Sequence, residues 1–297
     1  MRTETVDPRF IEIDRWPTVL AVEAMLEGQI AAIASLFSQL SAVAAASDAA
    51  SARLLQGGRL VYVGAGTSGR IAVQDGVELS PTYNWPADRL VFVLAGGIEA
   101  LATSAEGAED DKEDGVRQIR EAKVGPNDVV LGVAASGVTP FTVAAIMEAR
   151  ARGAMTVGIS NNTDTPLLRE AEFPLLADTG SELIAGSTRM KAGTAQKALL
   201  NIFSTATMLR SGLVYKGLMV NMRISNDKLA ARARAIVQQI TGVDAAVADK
   251  AMSASGGSIK LAVLVASGVE KTRATELLAS SGENLRVALA KHTSGGI

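Results

Sequence analysis

The sequence predicts an α/β fold, a five-stranded parallel sheet covered by helices on both faces, with a small helical subdomain after it. Two observations predict it. Apolar runs without strict alternation occur at 60–64, 90–94, 128–134 and 154–159, with a weaker one at 173–177, and helical segments lie between them. Continuous apolar strands separated by helices are the pattern of a parallel sheet buried on both sides. In addition, the strands run at their carboxyl ends into Gly, Ser or Thr, where ligands bind in open α/β sheets.

The remaining elements follow in order. Pro17 is suited to the first position of a long helix, and Val22, Leu26, Ile30, Ile33, Phe37 and Leu40 follow at helical spacing. A second helix is expected to begin near Ser47 and Asp48 and to stop at Gly57-Gly58. After the last strand, Ala195, Leu199, Ile202, Phe203 and Leu209 mark one side of a further helix. Segment 225–240 reads as a charged helix. From Thr241 to about Leu289, three short helices are expected, broken at 255–258, 267–268 and 280–282. This divides the chain into an N-terminal helical segment (1–46), a sheet domain (47–225) and a helical subdomain (226–297).

Composition narrows the chemistry. The chain has 297 residues, 48% of them hydrophobic but only 4% aromatic, so its helices must pack through small side chains. The 29 basic and 31 acidic residues nearly balance, and no basic stripe with interleaved aromatics offers a surface to nucleic acid. There is no cysteine, which removes disulfides, thiol nucleophiles and thiolate metal sites. The opening Met1-Arg2-Thr3-Glu4 lacks an apolar signal core, and no apolar run is expected to reach the ~20 residues of a membrane span. A cytoplasmic protein without a membrane partner is expected. The sole histidine, His292, lies in a Ser/Gly-rich tail, so acid–base chemistry falls to Asp, Glu, Lys or Tyr.

The most informative stretch is Gly-Arg-Leu-Val-Tyr-Val-Gly-Ala-Gly-Thr-Ser-Gly-Arg at 58–70. It reads as a strand, a glycine–hydroxyl loop and a helix start. Gly64, Gly66 and Gly69 allow a tight turn, and Thr67 and Ser68 place hydroxyls where a helix begins, a natural anion site. The same residues match the dinucleotide pattern G-x-G-x-x-G. That reading needs an acid at the end of the second strand, and here the strand ends in Ala95-Gly96-Gly97. No nucleotide cofactor is therefore expected. Strand 128–134 ends in a second loop of the same kind, with Ser136, Gly137 and Thr139. A pair of ordinary caps would explain each loop alone, but two such loops on one sheet favour a shared phosphate site.

Two acidic features accompany these loops. Glu78 falls at the far end of the helix that begins near Thr67, which Ser80-Pro81 should stop. A carboxylate at a helix C-terminus faces the negative end of the dipole, which disfavours ionisation and suits a general acid or base; a solvated surface glutamate is the plainer reading. Glu106, Glu109, Asp110, Asp111, Glu113 and Asp114 form an acidic group that reads as a solvated face. A carboxylate metal site there lacks supporting histidine, and no metal is expected.

Five pieces of the sequence resemble one family. They are Gly-Ala-Gly-Thr-Ser-Gly-Arg (64–70), Glu78 with Pro81-Thr82-Tyr83, Glu106-Gly-Ala-Glu109-Asp110, Ala-Ala-Ser-Gly-Val-Thr-Pro (134–140) and Gly-Ser-Thr-Arg-Met-Lys-Ala-Gly-Thr-Ala-Gln-Lys (186–197). Together they resemble the N-acetylmuramic acid 6-phosphate etherases, bacterial enzymes with a sugar isomerase (SIS) fold. The resemblance runs from about Thr3-Glu4 into the helical tail. The 186–197 stretch is specific, being shared mainly with the glucokinase regulatory protein, whose two SIS domains would not fit this chain. Departures at Gly76-Val77, Leu79-Ser80 and Ser181 remove no candidate catalytic group.

The resemblance implies removal of D-lactate from the 3-ether of a 6-phosphorylated amino sugar in cell-wall recycling, with no cofactor. It implies Glu78 and Glu109 as catalytic acid/base groups. It adds Ser187, Thr188 and Lys191 to Gly66, Thr67, Ser68, Ser136, Gly137 and Thr139 as substrate- or phosphate-binding residues, and implies a homodimer that completes each site. A non-catalytic sugar-phosphate sensor and an aldose–ketose isomerase are the rival readings, which release of lactate would separate from the first.

Overall fold

The computed structural model describes residues 1–103 and 105–294. Helix α1 (Thr18–Ala34) follows Pro17 and passes through a 3-10 turn into α2 (Leu40–Leu55). The second helix thus starts well before the expected Ser47. That serine is not a cap. It is buried in the helix and donates from Oγ to the Phe203 carbonyl at 3.3 Å.

The sheet then alternates with helices: β1 (Leu60–Gly64), α3 (Gly66–Tyr83), β2 (Leu90–Leu94), α4 (Lys112–Glu121), β3 (Val129–Val133), α5 (Pro140–Ala151), β4 (Met155–Ser160), α6 (Pro166–Glu170), β5 (Phe173–Leu176) and α7 (Lys191–Arg210). All five strands pair in parallel in the order β2-β1-β3-β4-β5, as the apolar runs predict. Val61 and Val63 of β1 join Val130, Phe141, Ala145 and Ile146 in a fully buried cluster. On the opposite face, the Tyr62 hydroxyl donates to Asp75 of α3 at 2.8 Å. The buried Asp75 carboxylate also accepts from Asn201 Nδ2 (2.6 Å) and Ser204 Oγ (3.0 Å), so one side chain ties β1, α3 and α7 together.

This order creates a switch point. From β1 the chain goes outward to β2 and returns to β3 on the other side, with Gly64 level with Val133. The loops after β1 and β3 therefore leave the same sheet edge as neighbours, the place where open α/β sheets take ligands.

Helix α3 corrects the expectation that it ends before Pro81, since it continues through Pro81 to Tyr83. Proline cannot donate to the carbonyl four residues back. The end is nonetheless held, because Arg223 N–H donates to the Pro81 carbonyl (3.4 Å) and Asn221 Nδ2 to the Tyr83 carbonyl (2.6 Å).

The chain clusters into two compact units, Met1–Val77 with Ala87–Thr207, and Glu78–Pro86 with Met208–Ile297. The second unit carries α8 (Asp227–Thr241), α9 (Ala245–Ala254), α10 (Ile259–Ala266), α11 (Lys271–Ala279) and α12 (Leu285–Ser294) around its own core of Val220, Ile236, Val263, Leu264, Leu277 and Leu285. Four helices, not the expected three, follow Thr241 among the described residues. Each expected break is a separate boundary, and Ser258 and Glu270 cap the helices that follow theirs.

A further correction concerns the N-terminal helices. Residues 18–55 form a helical stretch whose most apolar window has a mean hydropathy of 1.6, long and apolar enough to cross a membrane by length and composition. Alanine raises hydropathy without forming an obvious apolar block. One side of this stretch, including Ala32, Leu36, Val43, Ala46 and Ala50, is buried in the first unit. The other side is exposed through Val22, Leu26, Ile30, Ile33, Phe37 and Leu40.

Candidate active site

The switch point holds a cleft of about 300 Å³ within the first unit. It is lined by Gly66, Thr67 and Ser68 after β1, Ser136, Thr139 and Pro140 after β3, Glu109 and Asp110 before α4, Thr188 before α7, and Glu4. No Lys or Arg is among the lining residues.

The two loops owe their shape to glycine. A Cβ on Gly64 would sit 2.9 Å from the Gly69 nitrogen, so the strand end and helix start touch backbone to backbone. Gly137 has φ +68°, and a Cβ there would lie 2.4 Å from Ser160 Oγ and Thr165 Oγ1. Gly137 shapes its loop without lining the cleft.

Thr139 occupies the N-cap position of α5 but makes no side-chain cap bond. Its Oγ1 lies 3.2 Å from Ser136 Oγ, which accepts the Val138 N–H at 3.2 Å. The plain capping role therefore does not account for the Thr139 hydroxyl. Ser68 is buried in the first turn of α3, beside Thr67. Several hydroxyls and the first turns of two helices thus converge on one small volume, an arrangement suited to a phosphate dianion.

Glu109 sits on a 3-10 turn, Ala108–Asp110, that leaves Gly107. Its exposed carboxylate has no hydrogen bond or ion pair among the described residues. It also borders an adjoining hollow of about 340 Å³ with Glu106 and Arg70. Arg70 is committed elsewhere, donating to the Ala100 and Leu101 carbonyls at 3.0 and 3.1 Å. Glu78 belongs to the second unit and is exposed on α3. Because α3 runs on to Tyr83, Glu78 stands before its last turn, and the expected dipole argument loses its basis.

Ser187 and Lys191 do not line the cleft. Lys191 Nζ donates to the Ser181 carbonyl at 2.7 Å, and burial lowers its pKa. Its backbone N–H and that of Ala192 are accepted by Glu182 at 3.0 and 2.9 Å, so a buried carboxylate caps α7. Sequence reasoning missed both Glu182 and Glu4. The contacts that place them span loops with no periodic pattern. Among the described residues, no three His, Asp or Glu side chains gather as metal ligands would.

The comparisons agree with this architecture. Residues 42–150 match the family model of the glucokinase regulatory protein N-terminal SIS domain, and residues 113–206 match that of the SIS domain. A candidate phosphosugar isomerase involved in capsule formation from Bacteroides fragilis superposes with a TM-score of 0.52 at 20% identity, over 68% of this chain and 95% of that one. The likeness shows the shared fold. An N-acetylmuramic acid 6-phosphate etherase from Deinococcus radiodurans is 45% identical over 98% of this chain and 95% of its own length. One from Streptomyces avermitilis is 44% identical over 98% and 94%, and one from Symbiobacterium thermophilum 47% over 86% and 84%. This chain belongs to the N-acetylmuramic acid 6-phosphate etherase family of SIS-fold proteins.

Proposed function

We propose that the protein is a carbon–oxygen lyase that converts N-acetylmuramic acid 6-phosphate and water into N-acetylglucosamine 6-phosphate and D-lactate, a step in cell-wall amino-sugar recycling. The observation that supports it most is the cleft itself, a hydroxyl-lined, glycine-shaped pocket that also carries the Glu109 carboxylate, which has no partner among the described residues. Family membership supplies the substrate.

The chemistry needs only carboxyl groups. In the open-chain sugar the C1 aldehyde acidifies the C2 proton, so a carboxylate suffices to remove it. The C3–oxygen bond then breaks, and lactate departs with the ether oxygen, protonated by a carboxylic acid. Water adds across the resulting C2–C3 double bond, giving a hydroxyl at C3 and a proton at C2. Glu78 and Glu109 take these proton transfers in our reading, and the phosphate is held by Gly66, Thr67, Ser68, Ser136 and Thr139, with Thr188 beside them. Incubating the protein with the muramic acid 6-phosphate and assaying D-lactate tests the reading directly. Lactate in stoichiometry with N-acetylglucosamine 6-phosphate supports it; binding without turnover would make the protein a sensor.

The reading includes a homodimer. The exposed side of residues 18–55 is apolar, and from Ala32 to Leu54 the other side of the stretch is buried in the first unit. A second copy of the same face would bury Val22, Leu26, Ile30, Ile33 and Phe37 against their equivalents.

A further inference from the structure

We propose that Glu4 is a substrate-specificity residue of the cleft, accepting a hydrogen bond from a sugar hydroxyl while the hydroxyl–glycine loops hold the phosphate. The inference rests on the sugar-phosphate reading above.

The opening residues are built into the first unit. Thr3 is fully buried, and its side chain and backbone are gripped by one residue. Its N–H donates to Asn162 Oδ1 at 3.4 Å, and its Oγ1 accepts from Asn162 Nδ2 at 3.0 Å. The Thr3 carbonyl accepts the Gly186 N–H at 3.0 Å. Asn162 is itself buried, and its Nδ2 also donates to the Ala135 carbonyl at 2.9 Å, in the loop that presents Ser136. The 3-10 turn Arg2–Glu4 is thus fastened both to the phosphate loop after β3 and to the segment that leads to Thr188.

That fastening delivers the next side chain into the cleft. Glu4 lines it with Thr67, Ser68, Ser136, Thr139 and Thr188. Its carboxylate lies over Gly186, where a Cβ would come within 2.9 Å of Oε2. It makes no hydrogen bond or ion pair among the described residues. No Lys or Arg lines the cleft to neutralise it. A free carboxylate beside a phosphate pocket opposes anion binding, so phosphate is not what it recognises. A carboxylate is an acceptor only, and a sugar presents several hydroxyl donors. A charge-assisted hydroxyl–carboxylate bond would orient the polyol relative to its phosphate.

Two probes separate this role from a structural one. N-acetylglucosamine 6-phosphate and inorganic phosphate are titrated calorimetrically into the unaltered protein, Glu4→Ala and Glu4→Gln. Both variants are expected to lose at least tenfold in affinity for the sugar phosphate. Inorganic phosphate affinity should stay the same or tighten, since a negative charge has left the cleft. Parallel losses for both probes would mean that Glu4 only supports the loop, and unchanged sugar-phosphate affinity would mean that it touches no sugar; either result overturns the proposal. The experiment needs no turnover, so failure of the etherase reading, seen as absent lactate release by the unaltered protein, is a separate outcome.

Discussion

Ser136, in the loop after β3, lines the cleft together with Thr67 and Ser68 of the loop after β1. Its hydroxyl accepts the Val138 N–H and meets Thr139, whose own hydroxyl caps nothing. If these hydroxyls serve a phosphate, Ser136→Ala should weaken sugar phosphate and inorganic phosphate together. The expected loss is about 1–3 kcal/mol for a bond to a charged group. Calorimetric titration that finds inorganic phosphate affinity unaltered would count against the assignment. Ser136 and Thr139 were legible in the sequence because a strand followed by Ser-Gly-Val-Thr-Pro specifies its own turn. Glu4 was not, because nothing local announces that Asn162 and Gly186 hold Thr3.

Among elements, β1 and β3 must stay in register for the two loops to meet. Arg59 and Asp128, just before these strands, fasten that end: the guanidinium donates to the carboxylate at 2.7 and 3.1 Å, and the Arg59 and Gly125 amides donate to it at 2.9 and 3.0 Å. Burial works to raise the Asp128 pKa, but the Arg59 bond and the two amides outweigh it and hold the carboxyl below its ordinary value. A depressed acid stabilises the fold fully above its unfolded pKa, near 3.8 here, and the contribution fades as pH falls through the folded value. Asp128→Asn should therefore cost about 1–3 kcal/mol at pH 7. The gap between variant and parent should narrow once the pH drops below that of a free carboxyl. Denaturant midpoints at pH 7 and pH 3 check both statements.

The strands were read from sequence within a residue or so because buried parallel strands are continuous apolar runs. Helix ends were less legible. The start of α2 has no cap side chain, and α3 passes Pro81 because Asn221 and Arg223 satisfy its carbonyls from far along the chain.

For the whole molecule, the exposed apolar side of residues 18–55 sets the oligomeric expectation. Phe37, 76% exposed, stands in that stripe. Phe37→Glu would place a charge there and should convert a dimer to a monomer in sedimentation; a parent protein already monomeric and active would refute the dimer. The proposed reaction asks two glutamates to carry an elimination and a hydration. Its most direct test is exchange of the C2 proton in deuterated water, followed alongside lactate release. Glu78→Gln and Glu109→Gln should each lower lactate release by at least the ~10²–10⁴ of general acid–base catalysis, with sugar-phosphate binding retained. The variant that lacks the C2 base should also lose exchange, whereas the one that lacks only the later water-addition step should keep exchanging without forming product. Normal lactate release by both variants would mean that neither glutamate carries the reaction.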